Sequence, residues 1–166
     1  MQSTYQPELW QQAYIVLGGA TAALAGLIMV AASVRADQIM GTPHWRLRAQ
    51  NSTLAMISIT AASVLVLLPQ DRFALGAELI VLNLACAGLF PGRLALHQLL
   101  NRTGVGLHAP ALAIILYFLA AAGGASLIVG WGGGMFLITT AYVMFMFLAT
   151  HNAYVLMLPR REAPKT

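Results

Sequence analysis

The sequence predicts an all-α membrane protein, a bundle of five transmembrane helices with its N-terminus outside the cytoplasm and its C-terminus inside. Of its 166 residues, 59% are hydrophobic and 8% are charged, whereas a soluble domain has about 25% charged residues. The mean hydropathy is +0.75, and the apolar residues gather in five long windows. This composition excludes a soluble enzyme, a disordered tail and a nucleic-acid-binding protein.

Each apolar window is long enough, or nearly so, to cross a bilayer as a helix. A helix needs about 20 mainly apolar residues to cross the roughly 30 Å hydrocarbon layer. The segment before the first window contains Glu8 and no Lys or Arg, so we expect a retained helix rather than a signal peptide. The windows span residues 13–33, 52–69, 73–91, 110–130 and 135–158, all within a single domain over residues 1–166.

The basic residues predict the orientation of the chain. Five crossings place eight of the nine Lys and Arg residues on one side and leave Arg72 alone on the other. The positive-inside rule assigns the basic side to the cytoplasm, which also explains the basic net charge. The eight residues are Arg35, Arg46, Arg48, Arg93, Arg102, Arg160, Arg161 and Lys165.

The connections between the windows indicate which helices are neighbours. The second and fourth connections are a few residues long, so the helices they join should pack antiparallel. The first connection breaks at Gly41-Thr42-Pro43, and a short interfacial helix is expected to begin at His44. Pro91-Gly92 predicts a kink, after which the third helix continues as an amphipathic extension toward Leu100.

Small residues recur at helical spacing in the first and fourth windows. Gly18, Ala22 and Gly26 are four residues apart, and Ala120 lies one turn before Gly124. Small residues allow membrane helices to approach closely. Two interpretations are open at this point: packing within one protomer, or the seam of a homo-oligomer.

A few polar residues fall inside the windows and form a candidate intramembrane polar site: Glu78, Asn83, Thr140 and His151. Glu78 is the only charged residue in a window, about 7–8 Å deep at roughly 1.5 Å per residue. It is either an interfacial anchor within reach of Arg72 or a proton or cation site. Asn83 points to a different side of the same helix and is expected to bond to a neighbouring helix. The hydroxyl residues of the windows can line a wet path or bond to their own backbone.

No pattern in the sequence indicates catalysis, a metal or a cofactor. The four histidines, His44, His97, His108 and His151, have no ligand-like spacing, and Cys86 is the only cysteine. Nucleophile elbows, phosphate loops and paired carboxylates at depth are absent from the sequence. We therefore expect neither an enzyme nor a cofactor.

Several segments are similar to those of a known group of proteins. The segments are Leu17–Leu27 with Val30–Ser33, Arg48–Ser52, Leu67–Gln70, Glu78-Leu79 and Asn152-Ala153. They resemble small, uncharacterised five-helix integral membrane proteins of bacteria, some of which are labelled modulators of an ATP-dependent membrane protease. The resemblance implies a bacterial inner-membrane protein and assigns no functional residues.

The sequence leads to two main hypotheses about function. The first is a non-catalytic accessory or regulatory subunit that acts through helix–helix contacts with a membrane protein partner or with its own copies. The second is a small oligomeric channel or transporter for an ion, a proton or a small solute. A membrane enzyme or cofactor-binding protein that uses the histidines ranks third.

Overall fold

The computed structural model describes residues 7–34, 36, 43–89, 91–92, 96 and 108–157. These residues form five helices, each long and apolar enough to cross a membrane, which confirms the predicted all-helical, multi-pass architecture. The helices are α1 (Pro7–Val34), α2 (Pro43–Leu67), α3 (Arg72–Leu89), α4 (His108–Val129) and α5 (Gly134–Met157).

Two helices begin earlier than the apolar windows indicate. α1 begins at Pro7 and α2 at Pro43, because an apolar window marks only the hydrocarbon segment and a helix can continue into the polar interface. Proline suits the first helical position, where its missing N–H has no intrahelical partner to lose. The segment from His44, expected as a separate helix, is the first part of α2. The amphipathic extension lies mostly outside the described residues.

Four helices form a ring, and the fifth lies on its side. α2, α3, α4 and α5 each contact the next, and α5 returns to contact α2. α2 and α4 therefore face each other diagonally across the interior, as do α3 and α5. α1 packs along α2 and touches α5 more slightly. Buried side chains such as Met56, Leu79, Tyr142 and Phe145 fill the space between the helices.

Two tight turns lie at the same end of the bundle, which we call the short-loop end. At the start of α3, the Asp71 carboxylate accepts a hydrogen bond from the Ala74 backbone N–H (2.7 Å), an N-cap. At the end of α4, Gly130 has a positive φ of 78°, and the Trp131 N–H donates to the Ser126 carbonyl (3.0 Å). This is a Schellman cap, which glycine permits without steric cost.

Pairs of glycines bring the helix backbones together at two places. A methyl group placed on Gly76 of α3 would lie 2.7 Å from the Gly124 carbonyl oxygen, and one on Gly124 would lie 2.9 Å from the Gly76 carbonyl oxygen. Gly123 and Gly134 make the same reciprocal contact between α4 and α5. Because adjacent helical residues are about 100° apart, Gly123 and Gly124 each serve a different neighbouring helix.

The small residues predicted to pack divide between buried and exposed positions. Ala120 and Gly124 are buried, and a methyl group on Gly18 would lie 2.9 Å from Ser63 Cβ on α2. Ala22 and Gly26 are exposed, and a methyl group on Gly26 would meet nothing within 4 Å. Four residues turn a helix by about 400°, which is about 40° more than one full turn. Ala22 and then Gly26 therefore lie progressively further around α1 from the contact that Gly18 makes with α2.

Candidate functional site

Two hydrogen bonds cross the interior of the four-helix ring, one along each diagonal. Asn83 Nδ2 on α3 donates to the Tyr142 hydroxyl on α5 (3.0 Å). The hydroxyls of Ser58 on α2 and Tyr117 on α4 lie 3.3 Å apart. All four residues are buried, and Cys86 lies beside Ser58. The interior therefore holds a polar centre in which side chains bond across the bundle.

Two further bonds attach α1 to the ring. The hydroxyls of Thr21 and Thr60 lie 2.9 Å apart, which joins α1 to α2. The Tyr14 hydroxyl lies 3.1 Å from Thr139 Oγ1 on α5. Thr21 Oγ1 also lies 2.8 Å from the Leu17 carbonyl oxygen, and Thr60 Oγ1 lies 3.0 Å from the Met56 carbonyl oxygen. Because a hydroxyl has one hydrogen, one threonine donates to its own helix and the other donates to the partner threonine. These hydroxyls thus act in helix contacts within one protomer.

An open apolar groove separates α1 from α5. At the short-loop end the two helices meet, with the rings of Trp10 and Phe136 edge to face at a centroid distance of 4.8 Å. Beyond the Tyr14–Thr139 bond, a groove of about 720 Å³ opens to the surface of the protomer. It is uncharged and lined by Gln12, Ala13, Tyr14, Val16, Leu17, Ala20, Thr139, Val143, Met146, Phe147 and Thr150.

The members of the predicted polar site do not come together. Asn83 is buried, whereas Glu78, Thr140 and His151 are exposed on the outer surface of the protomer. Thr140 and His151 are eleven residues apart on α5, about 16 Å along the helix. Within one protomer these four residues therefore do not share one surface of the bundle.

Glu78 lies about 9 Å along α3 from its first residue, near the short-loop end. Its carboxylate accepts a hydrogen bond from Gln70 Nε2 (3.0 Å), which also donates to the Leu65 carbonyl (2.8 Å). The Arg72 guanidinium lies over the Phe73 ring, 5.0 Å from its centroid. Glu78 thus contacts the side-chain amide of Gln70 in the turn before α3. Its role as an interfacial anchor or as a proton or cation site stays a prediction.

The histidines do not form a cluster in the described part of the chain. His151 is exposed, the side chains of His44 and His108 are not described, and His97 lies outside the described residues. Among the described residues, no group of three or more His, Cys, Asp or Glu side chains is placed to hold a metal ion.

Sequence reasoning missed the partners of the interior residues. It named Asn83 but not Tyr142, and it did not name Tyr117 or Gly76. Tyrosines within apolar windows are a signal that was available, because a buried tyrosine hydroxyl usually has a hydrogen-bond partner. The pairing itself joins residues 59 positions apart in both diagonal bonds, and no local pattern indicates it.

No protein-family model, curated protein or solved structure matches this chain. The resemblance to small bacterial membrane proteins therefore stays a prediction. The contacts within the chain are the basis for the proposals below.

Proposed function

We propose that this chain is a non-catalytic accessory or regulatory subunit of a bacterial inner membrane that binds a transmembrane helix of a partner protein in the groove between α1 and α5. Its N-terminus lies outside the cytoplasm and its C-terminus inside, as the basic residues predict. The observation that carries the proposal is the groove itself, an uncharged concave surface of about 720 Å³ where two helices of the bundle separate.

The dimensions of the groove suit one face of a helix. Its lining runs from Gln12 to Ala20 on α1 and from Thr139 to Thr150 on α5, about 12 and 16 Å at 1.5 Å per residue. This length corresponds to two to three helical turns, about half of the hydrocarbon thickness. Ala13 and Ala20 present small side chains, which favour close helix approach in a membrane.

The interior of the bundle supports binding rather than transport. The buried polar side chains bond between helices, as Asn83 does with Tyr142, and glycine contacts close the α3–α4 and α4–α5 seams. A conducting path would instead need polar groups that follow one another from end to end. Those described here form separate pairs, so a path within one protomer has little support.

Site-specific photocrosslinking in native membranes tests the proposal. A crosslinking residue at Ala20, which lines the groove, should give one defined adduct that disappears when Ala13→Phe narrows the groove. The matched control is Ala22, exposed on α1 about 160° away from the groove centre, where we expect no such adduct. Equal labelling at both positions would show that the groove has no special role.

A channel or transporter built from several copies is the second candidate. The observation that favours it is the exposure of Glu78, Thr140 and His151 on the outer surface of the protomer, where polar groups are costly against lipid. A path of this kind would run between copies. Purified protein in liposomes should leave a proton or ion gradient intact under the first proposal; a flux that Glu78→Gln abolishes would favour the second.

A further inference from the structure

The two diagonal pairs, Ser58–Tyr117 and Asn83–Tyr142, differ in how many of their polar atoms have a hydrogen-bond partner. The single hydroxyl hydrogen of Ser58 goes to the Ala55 carbonyl oxygen, at 2.9 Å. This contact is shorter than the 3.3 Å between the Ser58 and Tyr117 hydroxyls, so we assign Tyr117 as the donor between those two hydroxyls. In the α2–α4 pair, both hydroxyl hydrogens have an acceptor.

In the α3–α5 pair, one donor and one acceptor have no partner among the described residues. Asn83 Nδ2 uses its two hydrogens on the Leu79 carbonyl oxygen (2.7 Å) and on the Tyr142 hydroxyl oxygen (3.0 Å). Tyr142 is then the acceptor, so its own hydrogen has no acceptor among the described residues. Asn83 Oδ1 likewise has no donor among them. Both residues are 1% exposed.

Buried polar atoms of this kind are bonded in nearly all proteins, to protein or to ordered water. Here an unused donor and an unused acceptor belong to two side chains that already touch. A molecule that fits them must accept from a phenol and donate to an amide oxygen. The titratable side chains that act electrostatically on Tyr142 are Tyr14, Tyr117 and Cys86, which are uncharged at neutral pH, so a neutral molecule suits this position.

We propose that Asn83 and Tyr142 bind one water molecule in the interior of the bundle. The water accepts the Tyr142 hydrogen and donates to Asn83 Oδ1, and it bridges α3 to α5 beside their direct bond. Buried waters make about three hydrogen bonds, and Asn83 and Tyr142 supply two of them. The site is separate from the α1–α5 groove, so it stands whether or not a partner binds there.

Water-edited solid-state NMR of the whole protein in lipid bilayers tests this site. With labelled tyrosines, and with assignment by Tyr142→Phe and Tyr117→Phe, the Tyr142 hydroxyl proton should receive magnetisation from water at short mixing times. Tyr117 is the matched control, because it is equally buried in the same bundle and its hydrogen is used by Ser58. We expect no early transfer to Tyr117.

A second variant identifies the water ligand on α3. Asn83→Leu preserves the size of the side chain and removes the acceptor, so we expect the transfer to Tyr142 to be lost while the Tyr117 signals keep their positions. Should this variant fail to fold, the contrast between Tyr142 and Tyr117 in the unaltered protein decides the question alone.

Four results would overturn the proposal. The first is a Tyr142 proton that receives no magnetisation from water. The second is transfer that survives in Asn83→Leu, since the amide would then not be a ligand. Equal transfer to Tyr117 would indicate general hydration of the bundle. Transfer from a lipid or detergent hydroxyl would mean that another molecule occupies the position.

Discussion

The α3–α4 contact and the α1–α5 contact are opposite extremes of helix packing in this protein. α3 and α4 meet backbone to backbone at Gly76 and Gly124. α1 and α5 meet through side chains at one end, where Trp10 packs on Phe136, and then separate to form the groove. In a membrane, helix association depends on close packing and a few polar contacts because lipid is as apolar as leucine. The tight seam should therefore hold the fold, while the open one is available to a partner.

The largest effect should follow from filling the α3–α4 contact. Gly76→Leu places a large side chain where a single methyl group already lies 2.7 Å from the Gly124 carbonyl oxygen and from Ile128. Relieving this overlap would require the two helix backbones to move apart. We therefore expect the free energy of unfolding in mixed micelles to fall by about 3 kcal/mol. Gly88→Leu on the same helix is the control, because Gly88 is exposed with nothing within 4 Å. Equal losses in both variants would contradict the importance of the seam.

A smaller loss is expected at the contact between α4 and α5. A methyl group on Gly123 would lie 2.6 Å from Ile138 Cγ1 and 2.8 Å from the Gly134 carbonyl oxygen. Gly123→Ala should thus lower the free energy of unfolding by about 1–3 kcal/mol. Gly26→Ala meets open space and should be neutral or slightly stabilising; if Gly123→Ala behaves the same way, the helices are not held as closely as described.

The polar contact between α1 and α5 should contribute little. A double-mutant cycle with Tyr14→Phe and Thr139→Val isolates the 3.1 Å bond between the two hydroxyls. Interhelical hydrogen bonds in membranes average about 0.6 kcal/mol, and we expect a coupling free energy of that size from unfolding measurements. A coupling several times larger would show that α1 and α5 are firmly joined and would weaken the case for a docking groove.

The smallest effect on stability should come from filling the groove itself. Ala20→Phe projects into open space beside Val16 and Phe147, each 70% exposed, so we expect the free energy of unfolding to change by less than about 0.5 kcal/mol. The yield of partner co-purified from native membranes should nevertheless fall sharply. Ala22→Phe, on the other side of α1, should leave that yield unchanged. A loss with Ala22→Phe alone would move the docking surface to the opposite face.

The number of helices was predictable, but the buried face of each was not. α1 buries Tyr14, Thr21, Ala25 and Ile28, while the small residue Gly26 is exposed. In a soluble protein the polar face of a helix marks the outside. Here both the lipid-facing and the protein-facing surfaces are apolar, so the pattern of hydropathy does not distinguish them.

The candidate sites were likewise predictable only in part. Asn83 was expected to bond to another helix, and the structure places it against Tyr142. The spacing of Glu78, Thr140 and His151 indicated polar groups at depth but not their distance from one another. The groove between α1 and α5 had no counterpart in the sequence, because it arises where two helices distant in the chain separate.

By itself, the sequence determined that this chain has five helices long and apolar enough to cross a membrane, since spanning hydrocarbon requires long helical segments that are mainly apolar. Only the tertiary structure decided which helices touch, where glycines let backbones meet and where a gap is left. The physical reason is that insertion depends on the summed hydropathy of each segment, whereas packing depends on the shapes of facing surfaces that come from different parts of the chain.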